Sequence, residues 1–262
     1  MNRKNTIHTT TNPTIYPSAA RQLGVKLIGK GGGDDSHCIA AWQSTYKELG
    51  VKMPKEVEGR IDLMFHYLAK KKKKSPQELL EYLQTNKHTS PFEHSWLMFG
   101  ELEVDIATHI QFVKHRVAVT INTESARYKE LVDKWYIPFD WITPPPNPHT
   151  GITQTQNNQL LELWANRLEE FSRMGHELYH KALKDLTPIL GRKRAKESCR
   201  YFLGYNKILC SSISFNFSSF MHLQKLRNSP HAQKEIGMVA ELMLEEVRKV
   251  GDFDLSLRAF GY

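Results

Sequence analysis

The chain has 262 residues, 40% of them hydrophobic and 24% charged, with 36 Lys and Arg against 28 Asp and Glu for a net charge of +8. Such a composition excludes a disordered, collagen-like or low-complexity chain and bounds the protein at one large domain or two small ones. No run approaches the roughly 18 apolar residues of a membrane span, and Cys38, Cys199 and Cys210 stand far apart with no CxxC pair, a spacing that suits a reducing compartment better than a disulfide framework or a thiolate zinc site.

Residues 1–15 read as a mobile tail, and the polar stretch 1–13 lacks the apolar core of a secretory signal, so a cytoplasmic location is expected. The glycine-rich 29–33 (GKGGG) reads as a flexible turn, because no Lys-Ser/Thr follows at P-loop spacing. Helices are predicted over 36–49, 57–70 and 76–85. The third is announced by Ser75, Pro76 and Glu78, a capping box with proline at the first helical position. The lysine run 70–74 just before it reads as a solvated helix end; no aromatic residues interleave it as a single-strand groove would require. Between 96 and 106 the pattern alternates, with Leu102, Val104 and Ile106 to one side and Glu101, Glu103 and Asp105 to the other, which predicts a half-exposed strand. A short helix follows over 107–114.

The proline-rich 141–151 predicts a loop. After it comes the longest helix, 156 to about 186, with Leu160, Trp164, Leu168, Phe171, Leu178 and Ala182 at helical spacing as its expected buried stripe. A basic helix is expected over 191–203 and another helix over 218–227. Pro230 is expected to open the last one, with Ile236, Ala240, Met243 and Val247 facing inward. Neither an internal repeat nor a linker divides the chain.

Two strings carry candidate chemistry. His176-Glu177-Leu178-Tyr179-His180 matches the HExxH pattern that places two imidazoles one turn apart around zinc. At about 100° per residue, His176 and His180 lie roughly 140° and roughly 180° from Phe171, so both are expected to point away from the core stripe. A catalytic zinc needs a third ligand, and Glu197 is the best and a weak candidate. No metal site is therefore expected.

The second string is Gln111-Phe-Val-Lys114-His115-Arg116, followed by Asn122, Ser125, Ala126, Arg127 and Tyr128. Hydroxyl and guanidinium donors at the end of a helix suit phosphates and a planar heterocycle, although a solvated basic loop would read the same way. The surroundings separate the two readings. His88-Thr-Ser90-Pro91-Phe92-Glu93-His94 precedes the predicted strand, and Arg227 leads into His231-Ala232-Gln233-x-Glu235-Ile236, with His222 five residues before it. In order and spacing these three motifs resemble the flavin-dependent thymidylate synthase family, from about residue 34 to 249.

That resemblance implies an α+β fold, a small antiparallel sheet flanked by helices, in one domain over 16–262. It implies reductive methylation of dUMP to dTMP with FAD as redox carrier, NADPH as reductant and methylenetetrahydrofolate as carbon donor. It also implies a homotetramer whose active sites are shared between subunits, with no membrane and no stable nucleic-acid partner. By similarity Ser44, Ser90, Lys114, His115, Arg116, Asn216 and His222 would contact FAD, and Gln111, Lys114, Thr123, Glu124, Ser125, Arg127, Arg200 and Arg227 would bind dUMP. Arg227 would be the catalytic residue, stabilising charge on the uracil ring where water is excluded. Three features depart from the family pattern: Lys114 stands for an arginine, one extra residue lies between Arg116 and Ser125, and Thr123 occupies a commonly acidic position with Glu124 displaced by one. They bear on rate and on pyrimidine specificity. A zinc hydrolase built on His176, Glu177 and His180, and a nucleic-acid binder built on the 70–74 lysines, are the competing readings.

Overall fold

In the computed structural model, residues 23–43, 52–144 and 153–262 are described. Four strands, β1 (Gly24–Gly31), β2 (Trp96–Asp105), β3 (Val119–Thr123) and β4 (Ile208–Asn216), form an antiparallel sheet in the order β1-β2-β4-β3. The expected α+β fold with a small antiparallel sheet is therefore present, and the glycine-rich segment is not a free turn. Gly29, Lys30 and Gly31 pair with Met98, Leu97 and Trp96 of β2 as part of an edge strand. Only beyond them does the backbone turn, at Gly32 with φ of +75°, where a side chain would meet the His94 carbonyl.

Along β2 the alternation holds at Leu97, Phe99, Leu102 and Val104, all buried. A bulge between Phe99 and Leu102 coincides with Glu101 at φ of +48°, the local kink that an extra residue imposes on a ladder. The strand ends differently from its expected pattern. Asp105 is buried rather than exposed, because its carboxylate accepts the Thr108 amide at 3.0 Å and caps the helix α4 (Ile106–Phe112). Ile106 accordingly belongs to that helix and not to the strand.

The inner face of the sheet is covered by α8 (Phe217–Arg227) and α9 (Lys234–Arg248), with Phe99 stacked on Phe220 and Phe217 on Phe253. Ile236, Ala240, Met243 and Val247 point inward as expected. However, α9 starts at Lys234 rather than Pro230, since residues 228–233 form the turn that carries the His-Ala-Gln motif. A final short helix, α10 (Asp254–Ala259), closes the core against α1 (Asp34–Gln43) and α3 (Pro76–Thr85). The predicted capping box at Ser75 and Glu78 is formed, and the preceding helix α2 (Val57–Tyr67) winds into a wider turn through Lys72 before Lys73 stops it at φ of +49°. The helix expected over 36–49 begins two residues earlier, and its far end, with Ser44, lies outside the described residues. The tail 1–15 lies outside them as well, as do residues 145–151 of the expected loop, whose near side overlaps one helical turn, α5 (Phe139–Ile142).

The longest helix, α6 (Gln154–Leu190), buries a face turned roughly 90° from the one its large apolar residues suggest. Ala165, Ser172, Gly175, His176, Tyr179 and Leu183 are buried, whereas Leu160, Trp164, Phe171 and Leu178 are exposed and Leu168 and Ala182 are half-buried. Close approach explains the choice of face. A Cβ on Gly175 would come within 2.6 Å of the Phe202 carbonyl, so only small side chains fit where α6 meets the turn after α7 (Arg192–Cys199). That basic helix is shorter than the predicted 191–203, ending in a 3-10 turn at Arg200–Phe202. Among the described residues no helix is long and apolar enough to cross a membrane.

Candidate functional site

Asp105 caps one end of α4 and so fixes where the helix delivers its last turn. Gln111 sits on that turn, and Lys114, His115 and Arg116 follow it into the loop leading to β3. Val119 pairs with Phe215 in β4, which brings this loop beside Asn216. Asn216 in turn caps α8, accepting the Ser219 amide at 2.8 Å, and α8 carries His222 and Arg227. Sequence positions more than a hundred apart are thereby brought to one cleft of about 880 Å³, lined by Lys114, His115, Arg116, Asn216, His222 and Arg227 among others. Ser90 is exposed and stands between Thr89 and Glu93, both of which line the cleft.

Hydrogen bonds tie the wall of this cleft together. Arg227 donates through Nε to His115 Nε2 at 3.1 Å and through Nη1 to Gln111 Oε1 at 3.4 Å. The Gln111 amide donates to Gln233 Oε1, Gln233 donates to Glu235 at 2.8 Å, and the Tyr136 hydroxyl donates to the same carboxylate at 3.2 Å. Burial, then the Arg227 guanidinium, then His222 push the His115 pKa down to about 4. A neutral imidazole can accept the Arg227 hydrogen bond. Gln233 and Glu235 belong to a motif visible in the sequence, but their role in orienting Gln111 needs three-dimensional contact to be seen.

The remaining expected nucleotide residues lie elsewhere. Thr123, Glu124, Ser125 and Arg200 line a second cavity of about 310 Å³. Arg127 lies on a neighbouring surface, where its Nε donates to Glu197 at 2.6 Å. Strand β3 separates the two groups: Lys114–Arg116 enter at its Asn216 end and Ser125 leaves at its Ser211 end. Five extended residues span ~17 Å. Thr123 is pinned by Ser211, which donates to its hydroxyl oxygen at 3.0 Å, and by His109, whose Nε2 is 2.7 Å away. Glu124 is engaged on both oxygens, by the Cys210 amide at 3.1 Å and by Lys129 at 2.5 Å. The displaced acidic position therefore has a structural task in this chain.

The side chains of the HExxH string bond to separate partners. His176 is buried against Trp135, contrary to its expected outward aim, with Nδ1 at 2.8 Å from the Ser172 carbonyl. His180 is exposed and pairs with Asp133 at 2.8 Å, while Glu177 pairs with Arg173. Glu197, the weak third candidate, is held by Arg127 and Arg194. Among the described residues no cluster of His, Cys, Asp or Glu could hold a metal. Nor are the 70–74 lysines free of aromatic neighbours: Lys72 lies over Tyr67 and Lys74 over Tyr82.

A small antiparallel sheet carrying a cationic cleft at the ends of β3 and β4 defines an α+β protein whose cleft donors suit an anionic ligand. The comparisons with known proteins make that class specific. Residues 26–251 match the model of the thymidylate synthase complementing protein family, and the chain belongs to that family. It is 33% identical over 173 residues to a flavin-dependent thymidylate synthase of Ehrlichia ruminantium (strain Gardel), covering 65% of this chain and 55% of the relative. It is 29% identical over 187 residues to the Streptomyces avermitilis enzyme of the same name, covering 69% and 70%. The match thus spans just over half the length of the first of these relatives. Among solved structures, the UMP/dUMP methylase PolB from Streptomyces cacaoi bound with 5-Br dUMP shares the fold, with a TM-score of 0.66, 23% identity and coverage of 91% of this chain and 94% of that one.

The cleft also fits a flavin on its own chemistry. Its cations Lys114, Arg116 and Lys225 suit a pyrophosphate, Asn216 and His222 can meet a ring's polar edge, and Val117, Met221 and Leu226 supply apolar wall. Its volume lies within the range of ligand pockets, roughly 300–1,000 Å³.

Proposed function

We propose that the chain catalyses reductive methylation of dUMP to dTMP, with methylenetetrahydrofolate as carbon donor and NADPH as reductant. The observation that carries this reading is the Arg227–His115–Gln111 cluster, which joins the expected catalytic, flavin-contacting and nucleotide-contacting residues on one wall. Relatives named flavin-dependent thymidylate synthase support it, as does a structural neighbour described as a UMP/dUMP methylase.

Bound FAD would supply the redox chemistry, passing reducing equivalents from NADPH to the transferred carbon. The chain's own residues then have separable tasks. Lys114 and Arg116 neutralise phosphate charge, with Lys114 acting as a point charge where an arginine fork would address two oxygens. His115 and Gln111 take two of the Arg227 hydrogens and so aim the rest of the guanidinium. A fixed cation beside the pyrimidine stabilises negative charge developing on the ring. Ser125, Arg127 and Arg200 hold the nucleotide.

The ~17 Å set by β3 also supports the homotetramer with shared sites. One protomer offers its flavin cleft, and a second offers its Ser125 and Arg200 cavity. The outward face of α6, with Leu160, Trp164, Phe171 and Leu178, supplies an apolar contact surface for that assembly. Such an enzyme would work in the cytoplasm, without membrane or nucleic acid. The test is the visible spectrum of the purified protein: flavin absorbance, retained on gel filtration and perturbed by dUMP, is expected. A colourless protein that does not take up FAD would overturn the assignment.

A further inference from the structure

The second cavity contains a charge that neither the motifs nor the cluster at Arg227 account for. Lys207 precedes β4 and is 1% exposed, among the largest fully buried side chains of the protein, yet it lines the cavity with Glu124, Ser125 and Arg200. Its Nζ donates to two main-chain carbonyls, Ile208 at 2.5 Å and Lys134 at 3.2 Å. An ammonium has three hydrogens, so one remains for the cavity. Among the described residues no carboxylate forms a salt bridge with it. Glu124 is committed to Lys129 and the Cys210 amide, and Asp133 to His180. Apart from Thr123, the other walls are apolar: Ile106, Ala126, Leu131, Leu203 and Leu209. A buried cation without a counter-charge is costly unless a ligand provides one.

We propose that Lys207 is a substrate-binding residue, its free hydrogen directed with Arg200 and Ser125 at the phosphate of the pyrimidine nucleotide. The proposal rests on the nucleotide-methylating reading above and deepens it, adding to the same site a contact that lies in none of the motifs. A phosphate monoester, dianionic above its second pKa of about 6, supplies the missing counter-charge, and Ser125 adds a neutral donor. Burial pushes the Lys207 pKa down to about 8, against the smaller opposing pull of Glu124 and Asp133; Lys129 and Lys134 lower it further. His176 on α6 faces it as well, and Arg200 shares its cavity. The free protein should therefore lose this cation across the mildly alkaline range, where phosphate and arginine do not titrate.

The experiment is calorimetric titration of the flavin-loaded protein with dUMP and with deoxyuridine, which lacks the phosphate. Lys207→Met should weaken dUMP about tenfold or more and leave deoxyuridine and flavin content unchanged, and Lys207→Arg should restore most of the loss. Equal dUMP affinity in wild type and Lys207→Met would overturn the proposal. Should the methionine variant not fold, the wild type alone decides. Its preference for dUMP over deoxyuridine should shrink steadily from pH 7 to pH 9, uracil ionisation being common to both ligands, and a constant preference would overturn the role of Lys207. A flavin-loaded wild type that binds dUMP no better than deoxyuridine at pH 7 would also overturn it. A wild type that binds neither nucleoside nor nucleotide would overturn the methylation reading itself.

Discussion

Arg227 Nε donates to His115 Nε2 at 3.1 Å across 112 residues of sequence. The contact joins the end of α8 to the loop leaving α4, and it makes the imidazole an acceptor rather than a second cation. Both side chains line one cleft. In Arg227→Ala the His115 pKa should climb from about 4 toward its ordinary value of 6.5. Burial acts first and remains, so the climb should be partial. NMR titration of the ring checks this, and an unmoved pKa would mean the two side chains do not meet in solution.

Acid stability should be set in part by two buried histidines. Burial, with a smaller contribution from His94, pushes His37 down to about 3, and its ring lies between the Ser256 and Ser95 hydroxyls at 2.8 and 2.7 Å. Both His37 and His115 have folded pKa values below the unfolded value, so the unfolded chain binds more protons as pH falls. Their contribution is complete above pH 6.5 and is lost on acidification through pH 4 and 3. Each histidine adds up to ~1.4 kcal/mol per pH unit in that window. Chemical denaturation between pH 7 and 5 should show the slope, and His37→Gln should flatten it.

Gly175→Ala should destabilise the protein, although alanine ordinarily favours a helix interior over glycine by ~1 kcal/mol. The added Cβ would sit 2.6 Å from the Phe202 carbonyl, and overpacking of this kind costs ~1–3 kcal/mol. The strain would displace the turn that carries Arg200. A raised KM for dUMP, with a lowered melting temperature, is the expected result. An unchanged melting temperature would show that α6 does not pack this closely.

Phe171→Asp should divide the assembly. Phe171 is 49% exposed on the outward face of α6 beside Trp164 and Leu178, and a carboxylate within an apolar interface lacks a partner. Light scattering should report a lower mass at micromolar concentration, with activity falling as shared sites separate. A variant that keeps the wild-type mass would place the interface elsewhere.

The sequence reveals those parts of the site that are local. The Lys114–Arg116 string, the Ser125-x-Arg127 loop and the His231-Ala-Gln233 segment are each contiguous, so each is visible before the chain is folded. Strand β2 is legible because its apolar residues alternate on both sides of the bulge, whereas β1 and β4 are not. Their outward positions carry lysine and serine, as in Lys26, Lys30, Ser212 and Ser214, which do not read as strand residues until a sheet pairs them. For α6 the apolar stripe is real but faces outward, because the inner face combines close approach at Gly175 and Ser172 with the packing of Tyr179 and Leu183 on α7. Lys207 gives no signal at all in sequence, since a lysine announces solvent until the fold buries it.

The most direct measurement of the central claim is dTMP formation from dUMP, methylenetetrahydrofolate and NADPH by the FAD-loaded protein and by its Arg227→Ala variant. If Arg227 stabilises charge on the uracil ring, its loss should lower turnover on the order of a hundredfold or more, and Arg227→Lys should recover only part because an ammonium lacks the planar fork. Near-normal turnover in Arg227→Ala, or no dTMP from the wild type, would contradict the account.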